Sequence, residues 1–498
     1  MRGYPVDRVG VAAGMLGGRR VRSVSGGGRY HLGVGHASSE DDGGRERVLI
    51  TGMGAVSPVG VGVGAYIAAV REARSGVRAF DPGDRRCRSR VAATVGMEGG
   101  IDGFEPRGVL EDADLRRLPR LVPMALAAAG EALEMARWQR AKEPYEEEER
   151  ERARRIGVVL GTGGGGIDFT LDQMHAGFAG RPASLWTITN ATHGNLAGEV
   201  SIRLGLRGPS WCISTGCASA SDAVGIALER LRAQGRRGGE GELDAMVVVG
   251  ADAHVRWETL SSMELLRVIT VRDWAAMGED PRTASRPFDR TRDGFVLGEG
   301  AWAVVLERER SVRRREAWGC VLGEVMGYGA TCDAYHRVRP SPDMEESARA
   351  MRMAVADAGL EVEQVEVVHY HGTSTKLNDT SETAAVKLAF GETHARRLVG
   401  HSVKAIIGHP QGACGLASLV ATVGAMAGVD GRGGFLPPTA HLREPDPQCD
   451  LDYTPLVARE VGKKRIALIN CLAFGAKNSA LVVRVSDADD KTSAAPGV

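Results

Sequence analysis

Three short stretches place reactive side chains at the end of a strand or at a turn that enters a helix. The run Tyr370-His371-Gly372-Thr373-Ser374-Thr375-Lys376-Leu377-Asn378-Asp379-Thr380-Ser381-Glu382 crowds a histidine, hydroxyls and two carboxylates together. Before it, Val365-Glu366-Val367-Val368-His369-Tyr370 alternates and is β-branched, so it reads as a strand that delivers His371 to its end. Gly372 then lets a substrate approach the backbone. In Cys212-Ile213-Ser214-Thr215-Gly216-Cys217-Ala218-Ser219-Ala220 the following residues to Leu231 form an amphipathic helical pattern, which puts Cys217 at a helix start. There the positive end of the helix dipole is expected to lower the thiol pKa, and Gly216, Ala218 and Ser219 leave room for an acyl group. The third stretch, Ser402 to Gly415, reads as a short strand and a glycine turn entering a long apolar helix, with His409 at the turn.

A thiol and two histidines are the groups that carbon–carbon condensation, the chemistry implied by the resemblance drawn below, would use. That chemistry needs a nucleophile to hold the first acyl chain, a means of making a carbanion, and donors for developing oxyanions. Cys217 would take an acyl group from a thioester. Cys212 within the preceding strand and Cys414 inside the helix after His409 read as inert buried thiols.

In this order the Cys217 segment, His371-Gly372-Thr373-Ser374-Thr375 and the Lys404 to Gly415 run resemble the β-ketoacyl-acyl-carrier-protein synthases of the type II kind. The resemblance runs from about Arg47 to Val485 and includes Val48 to Gly60, Ser285-Arg286-Pro287-Phe288-Asp289, Arg292 to Gly300 and Cys449-Asp450-Leu451-Asp452-Tyr453. It implies an α/β thiolase-like fold, a duplicated layered α-β-α-β-α architecture. It also implies decarboxylative condensation of an acyl group on Cys217 with malonyl-acyl-carrier protein, giving 3-oxoacyl-carrier protein and carbon dioxide in fatty-acid, related lipid or polyketide synthesis.

By the same resemblance His371 and His409, neutral and donating through Nε2, stabilise the enolate. Lys404 orders the site with Glu382 as its ion-pair partner, and Asp379 is the loop's second acid. The N–H groups of Cys217 and Leu472 form the oxyanion hole, and Thr373 and Thr375 meet the pantetheine arm. No cofactor or metal is implied beyond the carrier's phosphopantetheine; the partners implied are acyl carrier protein and a second copy in a homodimer. The sequence departs from the family at Asn470-Cys471-Leu472-Ala473-Phe474-Gly475-Ala476-Lys477-Asn478, where Ser, Phe and a glycine-rich run are usual. On this reading the aromatic gate over the nucleophile is missing. A thiolase is the nearest competing enzyme, since Cys471 could imitate its second cysteine, but His371 and Lys404 belong to decarboxylating synthases. A non-catalytic chain-length partner of a heterodimer would lack Cys217.

The elements that must hold these residues alternate. Strand-like runs at 48–52, 156–160, 246–250 and 301–306 are followed by a similar series at 320–326, 365–370, 466–471 and 480–485, with helical patterns between them. The expected halves are 47–307, carrying the nucleophile, and 308–486, carrying both histidines. Length alone suggests two or three compact units. Residues 1–46, Arg- and Gly-rich, read as a disordered or targeting extension, and 487–498 as a disordered tail. Formal charge is zero and 43% of residues are apolar, so no nucleic-acid footprint is expected. Eight cysteines without paired spacing suggest reduced thiols in a cytoplasmic setting, or a plastid or mitochondrial matrix if the leader is a transit peptide. Leu416 to Val429 is too short for a membrane span and reads as a buried helix. The Glu-rich 137–155 segment reads as solvated, and Gly161 to Gly166 as a flexible loop lacking the Lys of a phosphate loop.

Overall fold

The computed structural model describes residues 45–83, 86–96, 103–138, 146–233 and 242–486. The N-terminal extension before residue 45 and the tail 487–498 lie outside them. Glu46, assigned to the extension from sequence, instead belongs to the folded part, its carboxylate 2.9 Å from the Arg308 guanidinium.

Ten strands carry the architecture. Five come from the first half: β1 (Val48–Ser57), β2 (Ile156–Gly161), β3 (Ser210–Ile213), β4 (Ala245–Asp252) and β5 (Gly300–Arg308). Five come from the second: β6 (Gly323–Cys332), β7 (Val367–His369), β8 (Val399–His401), β9 (Ile466–Ala473) and β10 (Lys477–Val485). The first set is ordered β3-β2-β4-β5-β1 and the second β8-β7-β9-β10-β6, the same permutation twice. Pairing repeats as well. In each half the first three strands in that order are parallel, and the last two join antiparallel. The halves then meet where β1 pairs antiparallel with β6 at Leu49↔Glu324 and Ile50↔Gly323, making one continuous sheet. Residues from Arg45 on accordingly form one compact unit rather than the two or three suggested by length.

Helices fill the layers. α1 (Leu121–Met135) and α2 (His193–Leu204) cover the outer face of the first five strands. α4 (Glu345–Asp357) and α5 (Lys376–Phe390) cover that of the second. Between the two faces lie α3 (Ser219–Ala233) and α6 (Cys414–Met426), in a core shared by both halves. Every residue of α6 is buried, as expected of an apolar helix packed on all sides. Each Leu or Val there contributes about 1.5–3 kcal/mol of burial, enough to fix where its N-terminus points.

Two local expectations change. Residues Lys404–Ile407 form a single helical turn rather than a strand, the strand being the preceding β8. The Gly161–Gly166 loop is tied down: Asp252 accepts the N–H groups of Gly163 and Gly164, each at 2.9 Å, and the Thr162 hydroxyl at 2.7 Å. The Glu-rich segment is a surface helix, Glu147–Arg154, with only Ala153 buried.

Candidate active site

The duplicated architecture brings the starts of α3 and α6 to one point. Gly216 and Cys217 open a 3-10 turn into α3, and His409 precedes a matching turn, Gln411–Ala413, into α6. His371 arrives from the end of β7. The three donor atoms of Cys217, His371 and His409 lie within 4.8 Å of one another, and the imidazoles meet edge to face at 5.2 Å. All three line a cavity of about 710 Å³ together with Thr373, Thr375 and Leu472.

Backbone geometry fixes His371. Gly372 adopts φ +34°, and a Cβ there would sit 2.8 Å from the Ser402 Cβ and 3.0 Å from the Phe288 ring. Glu382 from α5 then clamps the peptide: it accepts the His371 N–H at 2.6 Å, the Gly372 N–H at 2.8 Å and the Asn470 amide at 2.6 Å. The expected ion pair with Lys404 is therefore not formed, because both carboxylate oxygens are occupied by peptide and amide donors. Burial pushes the Glu382 carboxyl up to about 7 despite those donors.

Lys404, 1% exposed, instead places its ammonium 3.5 Å from Nδ1 of His371. That donor occupies the Nδ1 lone pair and leaves the ring proton on Nε2. Burial, reinforced by the Lys404 charge, pushes His371 down to about 3, and burial likewise lowers His409. Both imidazoles are thus neutral. Asp379 is fully buried; it accepts the N–H groups of Thr373 and Phe288 at 2.9 Å each and faces Arg292 at 3.2 Å. Its place is to hold the threonine loop to the Ser285–Asp289 segment. The Thr373 and Thr375 hydroxyls are 3.0 Å apart, and Thr375 also caps α5.

Electrostatics at the nucleophile run against the helix-dipole expectation. Burial pushes the Cys217 thiol up, the neighbouring Cys414 adds to this, and Lys404 and the Phe474 N–H only partly offset them. At 4% exposure the cost of desolvating a thiolate outweighs the field of one helix end.

Sequence reasoning also placed the backbone donor wrongly. Leu472 lies within β9, in register with Asn478 of β10, whereas the N–H directed at the Cys217 sulfur is that of Phe474, two residues on. Phe474 lines the cavity beside Cys217, so an aromatic does stand at the nucleophile. The loop that carries it is strained: Ala476 is held at φ +62°.

Cys414 is not an inert mid-helix thiol but the first residue of α6, and Cys471 of β9 packs against it beside Cys217. The Cys414 and Cys471 sulfurs lie 3.2 and 3.1 Å from the Cys217 carbonyl oxygen. Burial alone would raise Cys414, but the Cys471 thiol, the Lys404 charge and the two imidazoles bring it well below its ordinary value. Its hydrogen bond with Cys414, then burial, raises Cys471. Positions 217, 414 and 471 share no local spacing, and only the thiolase comparison links Cys471 to the nucleophile.

Comparisons with known proteins agree with this arrangement. Residues 45–311 match the family model "Beta-ketoacyl synthase, N-terminal domain", and 322–443 match "Beta-ketoacyl synthase, C-terminal domain". The chain is 34% identical over 445 residues to 3-oxoacyl-[acyl-carrier-protein] synthase 2 of Synechocystis, covering 88% of this chain and 98% of that protein. It is 37% identical over 450 residues to a putative polyketide beta-ketoacyl synthase 1 of Streptomyces virginiae, with coverage of 88% and 98%. Among solved structures, a ketosynthase in complex with its type II PKS acyl-carrier protein, bound to the hexaketide, superposes with a TM-score of 0.74. That match is at 26% identity, over 89% of this chain and 100% of the other. With both family models matched in order around one buried Cys–His–His centre, the chain belongs to the β-ketoacyl synthase family.

Proposed function

We propose that the protein condenses an acyl group held on Cys217 with a malonyl group carried on acyl carrier protein, releasing carbon dioxide and leaving a 3-oxoacyl thioester. The observation that carries this reading is the pair of neutral imidazoles facing one buried thiol, with the Lys404 ammonium behind one of them. An N–H on each ring would meet the oxygen of the malonyl thioester as it becomes an enolate. A charged imidazolium would instead hold the starting carboxylate and resist its loss. The Cys217 and Phe474 N–H groups are the proposed oxyanion donors for the attack on the acyl thioester, in place of the Cys217 and Leu472 pair.

Cys217 acylation requires its thiol proton to leave, and the Lys404 charge is the neighbour that favours the thiolate left behind. Thr373 and Thr375 would take the polar groups of the pantetheine arm. Arg267, His336, Arg339 and Lys376 also line the cavity and would meet the phosphate and acidic surface of a carrier protein. The exposed edge strand β3, with Trp211, and Ile202 on the neighbouring α2 would suit pairing with a second copy. Eight free cysteines suit a reducing, cytoplasm-like compartment.

The test separates the half-reactions. Cys217→Ala is expected to abolish acyl transfer and condensation while retaining decarboxylation of malonyl-carrier protein. Equal loss of all three would contradict the division of roles, and condensation of two acetyl thioesters without malonyl would favour a thiolase.

A further inference from the structure

Three buried groups near the nucleophile are arranged more tightly than condensation requires. The Cys414 and Cys471 sulfurs are 3.6 Å apart, and the Cys471 sulfur is 3.6 Å from Nδ1 of His371. One donor atom from each of Cys414, Cys471 and His371 lies within 4.8 Å of the other two. All three residues are buried.

These spacings discriminate between two fates for the thiols. A disulfide needs sulfurs at about 2.05 Å, so the pair would have to close by roughly 1.5 Å inside a packed core. Tetrahedral zinc, with Zn–S about 2.3 Å and Zn–N about 2.1 Å, sets its ligands about 3.8 Å apart for two sulfurs and about 3.6 Å for sulfur and nitrogen. The Cys414–Cys471 and Cys471–His371 edges, each 3.6 Å, already match the second geometry. Thiolate and imidazole are also the donors that select zinc over magnesium or calcium.

We propose that Cys414, Cys471 and Nδ1 of His371 form a binding site for a thiophilic divalent cation of the zinc type. Two Zn–S bonds and one Zn–N bond form, and the two thiol protons and the displaced hydration waters leave through the cavity that His371 lines. The two thiolates balance the charge of the cation. Lys404 gives up its contact with Nδ1, since that lone pair now binds metal. Three protein donors leave a fourth position for water. Occupancy replaces the Lys404 ammonium at Nδ1 by the cation and leaves the proton on Nε2, so what it changes is the charge and positioning behind His371; this consequence rests on the function proposed above, whereas binding itself does not.

The experiment uses the full chain, stripped of metal and reduced with a phosphine, titrated with Co²⁺ and then Zn²⁺. One Co²⁺ per chain with thiolate-to-cobalt absorption in the near ultraviolet, displaced by Zn²⁺, is expected. Cys414→Ala and Cys471→Ala should each weaken Zn²⁺ binding at least roughly ten-fold. Absence of the thiolate band, or binding unaffected by both substitutions, overturns the site. Should those variants not fold, X-ray absorption of the zinc-loaded wild type decides: two sulfur neighbours and at least one nitrogen support the site, and a shell of oxygen and nitrogen alone overturns it. Malonyl decarboxylation is followed in parallel. Tight binding supports the site whether or not decarboxylation changes, since Nε2 keeps its proton, while no binding overturns the site and leaves the role of His371 standing.

Discussion

Replacing Gly372 by alanine tests how the fold aims His371. The added Cβ would lie 2.8 Å from the Ser402 Cβ, 2.9 Å from its Oγ and 3.0 Å from the Phe288 ring, at a backbone φ of +34°. Overpacking of this kind costs about 1–3 kcal/mol, and forcing an L-residue into left-handed backbone about 1–2 more, so a loss near 3 kcal/mol is expected. Part of that strain will be relieved by shifting the two consecutive peptides that end at His371 and Gly372, whose N–H groups are held by Glu382. A displacement approaching 1 Å at a catalytic group lowers rate by about 100-fold. The assay follows the two half-reactions: malonyl decarboxylation by carbon dioxide release, and acylation of Cys217 by intact mass. Decarboxylation should fall by about two orders of magnitude while acylation, centred on the other half of the duplicated fold, stays within about two-fold. Equal loss of both, or a stability loss with decarboxylation untouched, would refute the idea that this glycine and its carboxylate clamp set the histidine.

Further outcomes follow from the same geometry. Glu382 has a folded pKa raised from 4.5 to about 7 by burial, so its stabilising contribution is greatest below 4.5 and is lost as pH rises towards 7. At about 1.4 kcal/mol per unit, the stability difference between wild type and Glu382→Gln in urea unfolding should shift by about 3 kcal/mol across that window; a flat difference rejects the buried acid. His371 is neutral down to about 3, so malonyl decarboxylation should keep its rate as pH falls below 6.5, and an acid limb at the ordinary histidine value would contradict this. Ala476→Gly relieves a residue at φ +62° and should raise unfolding stability by about 1 kcal/mol, read from the urea midpoint; no change would show the loop unstrained.

What the sequence made legible was local. Strand runs, the starts of α3 and α6, and the placement of Cys217, His371 and His409 at element ends all follow from patterns within about fifteen residues. The repeat of strand order became certain only in three dimensions, because β3 and β8, the edge strands, are just four and three residues long. Errors arose where a residue's behaviour depends on distant neighbours. The helix dipole at Cys217 is a local signal, but its thiol is governed by burial and by Cys414 and Lys404 from the other half. Glu382 and Lys404 are opposite charges near one motif, yet the carboxylate satisfies the peptide of the turn instead. The offset from Leu472 to Phe474 reflects where β9 ends, at Ala473, a boundary that composition does not mark. The Cys414–Cys471 contact joins residues 57 positions apart and had no sequence signature.

The central claim is that Cys217 carries the acyl chain. Incubating the purified protein with acyl-carrier thioesters of several lengths, without malonyl substrate, and mapping the adduct by intact mass and peptide analysis tests it most directly. A single acyl adduct on the Cys217 peptide, absent in Cys217→Ala, is the predicted result. No adduct from any donor, or an adduct on Cys414 or Cys471 instead, would contradict it.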